Sequence, residues 1–219
     1  MREFPFFIIS IIEYIGIFAA MLSVFRFELR YYWTQILFST FVLSILSHAM
    51  FLEYELGAAP LIQMVFQLMF MWLLFRIPLL YALLMQVTFS ILYIALQSGL
   101  MNVVALLDDQ ETVFSATGTE MYLVQLMCAV IAGIIAWISQ RKRIGFTFIP
   151  VHSMDKFSWT KLNMWLIVCS VFSFFLMFII YFIFLDTQLD WLWLIFLVCV
   201  GLTVVFFYLM RTRDEEEYD

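Results

Sequence analysis

The side chains with the greatest capacity for chemistry are an acid and an imidazole inside apolar stretches. Glu13 follows the run FFIISII, and His48 follows the run FVLSILS. An ionisable group in a membrane-spanning segment is costly, so each marks either a binding site or a polar contact between helices. Glu13 offers acceptor oxygens and His48 offers a donor and an acceptor, which suit them as the polar anchors of a ligand pocket.

Several neutral polar side chains accompany these two groups. Gln63 and Gln67 are four residues apart and therefore share one helix face. With the spans and orientation given below, Glu13 lies about 12 Å and His48 about 6 Å beneath the outer boundary, at 1.5 Å per residue. Polar groups from several helices at similar depths predict a pocket open to the outside. The predicted ligand-binding residues are Glu13, His48, Gln63, Gln67, Tyr93 and Gln125.

A second interpretation of the same residues stays open. Polar side chains in membrane bundles often hydrogen-bond between helices and fix their packing without any ligand. The spacing permits contact between Glu13 and His48 but does not require it.

Patterns typical of catalysis are lacking in the sequence. Cys128, Cys169 and Cys199 lie within apolar stretches, and none is next to a histidine, as a thiol dyad on one segment would need. His48 and His152 fall on opposite sides of the predicted membrane, and no zinc-ligand spacing or glycine-rich phosphate loop occurs. We expect a protein without catalytic activity, metal or cofactor, and without a nucleic-acid partner.

Composition explains why these polar groups are so conspicuous. Of the 219 residues, 65% are hydrophobic and only 13% are charged, and the mean hydropathy is +1.01. Soluble domains carry about 25% charged residues, so a water-soluble globule is excluded. Runs such as FFIISII and WLWLIFLVCV do not alternate as the strands of a membrane barrel do, and therefore favour helices.

Apolar stretches near the length of a membrane helix divide the chain into seven predicted spans. About 20 residues are needed to cross about 30 Å of hydrocarbon. The third and fourth spans are separated only by Arg76 and Pro78, which predict a tight hairpin. We predict an all-α, seven-transmembrane helix bundle forming one polytopic domain over 1–219. The spans are approximately 5–25, 33–52, 59–75, 77–97, 121–139, 162–185 and 191–210.

The basic residues set the predicted orientation. Lys and Arg in short loops favour the cytoplasmic side, and an odd number of spans places ten of the eleven basic residues on one side. We therefore expect the N-terminus outside and the C-terminus in the cytoplasm of a multi-pass plasma-membrane protein. Tryptophans are expected at both boundaries: Trp33, Trp72, Trp137, Trp159 and Trp165 at the inner one, and Trp191 and Trp193 at the outer one.

The longest predicted cytoplasmic segment is 140–161. In one interpretation this segment lies on the inner leaflet, with Phe146 and Phe148 among the lipid headgroups. In the other it is a docking loop for a protein partner. The residues predicted to make these contacts are Arg141, Lys142, Arg143, Lys156 and Lys161.

The predicted topology resembles that of a known family of membrane sensors. The shared features are seven spans, an outside N-terminus and a chain rich in Phe, Ile, Leu and Met. The family is the multi-pass sensor domain of accessory-gene-regulator-type quorum-sensing histidine kinases, and the string from Gln140 to Phe146 (QRKRIGF) is similar in kind. Those receptors continue into a kinase, whereas this chain ends at Asp219. The resemblance implies a stand-alone sensor or an accessory to one.

The expected function is therefore a non-catalytic, receptor-like subunit. It would bind an apolar or peptide-like ligand from outside and signal through a protein partner on the cytoplasmic side. Two alternatives stay open from the sequence: the substrate-binding membrane subunit of a transporter, and a structural assembly or immunity protein.

Overall fold

The computed structural model describes residues 3–50, 59–106, 119–149, 161–187 and 192–216, and their regular structure is entirely helical. Seven helices follow one another within these ranges, so the predicted all-α fold class is confirmed. They are α1 (Glu3–Val24), α2 (Leu29–His48), α3 (Ala59–Leu73), α4 (Leu79–Ala105), α5 (Thr119–Lys142), α6 (Lys161–Thr187) and α7 (Leu192–Glu216).

The helices differ in how well they match a membrane span. In the described part of the chain, α1, α4, α5, α6 and α7 are long and apolar enough to cross a bilayer. The α3 helix is apolar but has only 15 residues, and α2 falls outside the group of five. These properties fit a protein that resides in a lipid bilayer.

One helix extends well beyond its predicted end. The sequence places the end of the fourth span near Gln97, whereas α4 continues to Ala105. Its polar side chains are turned back on the helix itself: Ser98 Oγ donates to the Ile94 carbonyl (2.7 Å), and Asn102 Nδ2 donates to the Ser98 carbonyl (2.9 Å). Polar residues that bond their own backbone need not end an apolar helix.

Contacts at one end of the bundle show that successive helices alternate in direction. The Gln140 side chain near the end of α5 donates to the Phe27 carbonyl just after α1 (2.7 Å). Asn163 at the start of α6 accepts from Arg213 near the end of α7 (2.9 Å). The side chain of Tyr32, near the start of α2, stacks on Phe75 just after α3. The ends of α1, α3, α5 and α7 therefore meet the beginnings of α2 and α6.

We call the end of the bundle where α1, α3, α5 and α7 finish the basic end, because all nine basic residues in the described ranges lie there. Arg2 and Lys156 lie outside those ranges. The other nine lie at one end of the bundle, the arrangement that basic residues on a single side of a membrane would require. The nine are Arg26, Arg30, Arg76, Arg141, Lys142, Arg143, Lys161, Arg211 and Arg213.

The most extensive helix pair is α1 with α5, which run in the same direction. Gly16 makes the close approach possible, since a Cβ there would lie 3.0 Å from the Ala129 carbonyl oxygen and 3.5 Å from the Ala132 side chain. Small residues let helix backbones approach closely in membranes, where packing replaces the hydrophobic effect.

The loop after α5 folds back into the basic end. The Phe146 amide donates to the Val24 carbonyl (2.9 Å), and Phe146 and Phe148 are buried against the Phe25 ring. The prediction that these two aromatics lie among lipid headgroups is therefore wrong. Burial within the protein wins because the rings fill the space between the ends of α1 and α7, where Phe207 also packs.

Three tight turns at the basic end share an unusual conformation. Arg26, Arg76 and Arg143 have positive φ values of 55°, 56° and 50°. This left-handed conformation ends helices and is normally taken by glycine. The predicted hairpin at Arg76 is confirmed, because α3 ends at Leu73 and α4 begins at Leu79.

Gly145 is the residue on which the folded-back loop depends. Its φ is +147°, and a Cβ there would lie 2.2 Å from the Val24 carbonyl oxygen. We expect Gly145→Ala to lower the free energy of unfolding by about 2–3 kcal/mol through backbone strain and loss of the Phe146 hydrogen bond. Titration with sodium dodecyl sulfate in mixed micelles measures the change.

Gly133→Ala and Gly201→Ala are the matched controls, since both glycines are helical and a Cβ at either meets nothing within 4 Å. They should be neutral or slightly stabilising. Equal effects at all three positions would contradict the assigned role of Gly145.

Candidate functional site

The centre of the candidate site joins three helices. The Tyr93 hydroxyl on α4 donates to Glu13 Oε1 on α1. The Cys128 thiol on α5 lies close to the same hydroxyl. The close packing of α1 on α5 at Gly16, less than one turn from Glu13, brings the carboxyl and the thiol together. The structure thus unites two predicted site residues, Glu13 and Tyr93, and adds Cys128.

The residue after Glu13 extends the polar contacts to a fourth helix. Tyr14 is buried on α1, and its hydroxyl lies close to Ser47 of α2. Neither residue was predicted. Ser47 could have been found because Thr40, Ser44 and Ser47 recur at the spacing of one helix face.

His48 lies at a different level of the bundle. Its ring packs edge-on against Phe6, with centroids 6.4 Å apart. Phe6 in turn contacts Tyr122 of α5. Phe6 precedes Glu13 by seven residues, which is about 10 Å along a helix. His48 thus lies near the end of the bundle opposite the basic end, farther from the basic end than Glu13 is.

Gln67 of α3 is paired with α4. Gln67 accepts a hydrogen bond from Gln86 of α4 (2.6 Å), and Gln86 also donates to Ser90 (3.1 Å). Gln67 is six residues from the end of α3 and Gln86 seven from the start of α4, so both lie about 10 Å from the basic end. Gln67 is thus near the middle of α3, and its partner Gln86 was not predicted from the sequence.

Several polar atoms of this interior have no hydrogen-bond partner among the described residues. They concentrate on the inward face of α2 and on the glutamines of α3, α4 and α5. They are Gln35 Oε1, Ser39 Oγ, Thr40 Oγ1, Ser44 Oγ, Gln63 Nε2, Gln86 Oε1, Thr88 Oγ1 and Gln125 Oε1.

Such atoms are energetically expensive. An unpaired buried donor or acceptor costs about 1–3 kcal/mol, so this set of eight would cost at least about 8 kcal/mol. The total stability of a domain is only about 5–15 kcal/mol. Small polar molecules such as water that bonded these atoms would remove this cost.

The basic residues predicted to contact lipid or a partner are accessible at the basic end. Arg141, Lys142, Arg143 and Lys161 are exposed, whereas Lys156 lies outside the described residues. The Arg141 guanidinium lies 5.2 Å from the centre of the exposed Trp137 ring. This pairing of a cation with an interfacial tryptophan suits contact with a headgroup layer.

A small cavity lies near the basic end and not at the predicted outer opening. Tyr81, Phe148, Asn163 and Leu166 are among its lining residues, and it has room for about one water molecule. It is therefore too small to be the predicted ligand pocket.

Comparison with known proteins gives no assignment. No family model matches the sequence, and no curated protein or solved structure is significantly similar to the chain. The residues and their geometry therefore carry the functional proposals below.

The Glu13–Tyr93 bond can be tested by a double-mutant cycle. We expect Tyr93→Phe to lower the free energy of unfolding by about 1–3 kcal/mol, because it leaves the Glu13 carboxyl without its donor. Glu13→Gln should cost a similar amount, and the double variant should cost clearly less than both single changes added together. Unfolding by sodium dodecyl sulfate measures all four proteins.

Tyr122→Phe provides the control, since Tyr122 contacts Phe6 through its ring and the change keeps that ring. Strict additivity of the Glu13 and Tyr93 effects would mean that the two groups do not interact in the folded protein.

Proposed function

We propose that the chain is a seven-span plasma-membrane protein with its N-terminus outside and its basic end in the cytoplasm. The alternating helix directions and the basic residues at one end support this topology, since Lys and Arg are retained on the cytoplasmic side. Two helices differ from a typical membrane span: α2 is less apolar, and α3 is short.

The α2 helix has the polarity expected of a membrane helix that faces a polar interior. Its outward residues Leu37, Phe38 and Phe41 are about half exposed (53%, 54% and 54%), whereas Ser39 and Ser44 are fully buried. A helix on the surface of a soluble protein shows the opposite pattern. Apolar residues outward and hydroxyls inward favour lipid around α2, which supports its assignment as a span despite its lower hydropathy.

Tryptophans support the position of the cytoplasmic boundary. Trp33, Trp72, Trp137 and Trp165 are all exposed, and each lies within about one and a half turns of the basic end of its helix. Indole rings at one level beside a ring of cations are typical of a membrane–water interface.

Two surface positions test this topology. Leu106 lies at the end opposite the basic end and is 73% exposed, and Ile144 lies in the basic-end loop and is 56% exposed. We expect Leu106→Cys to react with a membrane-impermeant maleimide on intact cells, and Ile144→Cys to react only after permeabilisation. The native protein measures the background from the natural cysteines. Labelling of both positions from one side would contradict an odd number of spans.

We further propose that the protein is a receptor-like, non-catalytic subunit that binds an apolar or peptide-like ligand from outside. The observation that carries this proposal is the hydrogen bond between Glu13 of α1 and Tyr93 of α4, with Cys128 of α5 beside it in the interior. A ligand that competes for the Glu13 carboxyl would change the relative positions of α1, α4 and α5.

The connections of α1 offer a route from that group to the cytoplasmic side. Ser23 and the Phe27 carbonyl accept from Gln140, and the Val24 carbonyl accepts from the Phe146 amide. The same loop is tied to α7, because the Thr147 amide and hydroxyl both donate to Asp214 (2.8 and 2.7 Å). Movement of α1 would therefore reach the exposed basic residues, where we place the partner. A sensor of the kind implied by the sequence resemblance would work in this way.

Thermal unfolding in the presence of spent culture medium tests ligand binding. Medium from the cells that naturally make the protein is the probe, applied to the purified protein in nanodiscs. We expect the wild-type Tm to rise by about 5 °C or more at a ligand concentration about 100-fold above Kd. The rise should largely disappear in Glu13→Gln, which replaces the carboxyl group proposed to bind the ligand.

Gln140→Ala is the matched control, since it weakens the α1–α5 contact at the basic end and should lower Tm without removing the rise. A wild-type Tm that ignores the medium, or an undiminished rise in Glu13→Gln, would contradict ligand binding at this site.

A further inference from the structure

We propose that the inward face of α2, together with Gln63 and Gln86, lines a hydrated path that small polar solutes enter from the end opposite the basic end. We call these residues the α2 seam: Ser39, Thr40, Ser44, Gln63 and Gln86. Their side chains are at least nine-tenths buried, and each has a polar atom without a partner in the described protein. The proposal is independent of the receptor function, because it concerns access of water and not recognition of a ligand.

The hydroxyls of α2 behave differently from those of other helices. Ser98, Ser170 and Thr203 donate to the carbonyl four residues earlier in their own helices, at 2.7–2.8 Å. Ser39 and Ser44 make no such bond, although the same carbonyls are available in α2. A hydroxyl in an apolar helix normally takes that bond, so those of α2 are turned toward the interior.

The seam residues of α2 and α3 lie at matching levels. Ser39 is ten residues from the start of α2, and Gln63 is ten residues from the end of α3, so both lie about 15 Å from the basic end. The Gln86 amide uses its nitrogen to bond Gln67 and Ser90, which leaves its buried oxygen without a donor. The α2–α3 and α3–α4 pairs place these groups in one region of the bundle.

Aromatic rings close the seam toward the basic end. Phe75 stacks on Phe18 with ring centres 5.7 Å apart and on Tyr32 at 5.8 Å, and Tyr32 also contacts Phe27. These rings lie between the hydroxyls of α2 and the basic loops. A closed floor at this end leaves the opposite end of the bundle as the entrance.

Silver ions test the path, since they are close to water in size and bind thiols only where an aqueous route exists. Ser44→Cys and Ser39→Cys are made with Cys128 replaced by Ser and with Cys169 and Cys199 replaced by Ala. Silver is applied outside intact cells and then removed. Thiols that bound silver no longer react with polyethylene-glycol maleimide after denaturation, which a gel shift measures.

We expect both seam cysteines to be protected at least tenfold faster than Ala20→Cys and Phe41→Cys. Ala20 is fully buried on α1, four residues after Gly16 and so on the same helix face, and Phe41 is on the outward face of α2. The controls therefore separate a wet seam from a dry interior and from lipid. Size-exclusion chromatography and a full gel shift without silver establish that each variant is folded and reactive.

Protection of the seam cysteines no faster than that of Ala20→Cys would overturn the proposal, since the hydroxyls would then lie in a dry interior. Protection only when silver reaches the basic end, in inside-out vesicles, would overturn the assigned entrance and the aromatic floor. Neither result depends on the response to spent medium, so failure of the receptor proposal and failure of this one are distinguishable.

Discussion

The close parallel packing of α1 on α5 is the contact on which the rest of the structure depends. Gly16 allows it, because any side chain there would press on the Ala129 carbonyl. Toward the start of α1, this contact is followed by Glu13 and the nearby Cys128 of the candidate site. Toward the end of α1, it is followed by Ser23, which accepts a hydrogen bond from Gln140 at the basic end. In lipid such an interface gains little from hydrophobic burial, so the fit of small residues has to supply the stabilisation. A shift of α1 against α5 would therefore disturb both the Glu13 site and the folded-back loop after α5.

Much of the fold could be predicted from sequence because single helices dominate membrane structure. Every helix must satisfy its own backbone in hydrocarbon, so apolar stretches alone locate the elements, and Arg76 with Pro78 locates the hairpin. The extent of α4 could not be predicted, because Ser98 and Asn102 look like a helix end until their side chains are seen to bond the helix backbone. Likewise, Phe146 and Phe148 look interfacial until the loop that carries them is placed.

The candidate site was predictable only in part, for a related reason. Depth along each helix follows from residue number, so Glu13 and Tyr93 were expected at comparable levels and do form a pair. Which helices are neighbours does not follow from depth. Gln67 therefore pairs with Gln86 in the half of the bundle nearer the basic end. Cys128 lies in the site, although a single cysteine in an apolar stretch is normally interpreted as a small hydrophobic residue. Polar groups inside a bundle are identified by composition, but their partners are fixed by helix arrangement.

The arginines at the tight turns show how charge and backbone preference compete. A left-handed residue other than glycine costs about 1–2 kcal/mol, and Arg26, Arg76 and Arg143 each take that conformation. Glycine would remove the cost while keeping the Phe27–Leu22 and Ile144–Ser139 backbone bonds that close two of these turns. A cation at the end of a helix recovers about 0.3–1 kcal/mol from the helix dipole, which does not fully offset the strain. The remainder is explained if the membrane is the second partner: a cation held at each turn interacts with anionic headgroups, worth about 1 kcal/mol per residue. The unfavourable free energy of the left-handed conformation would then be offset by the favourable interactions of each arginine with the helix dipole and the headgroups.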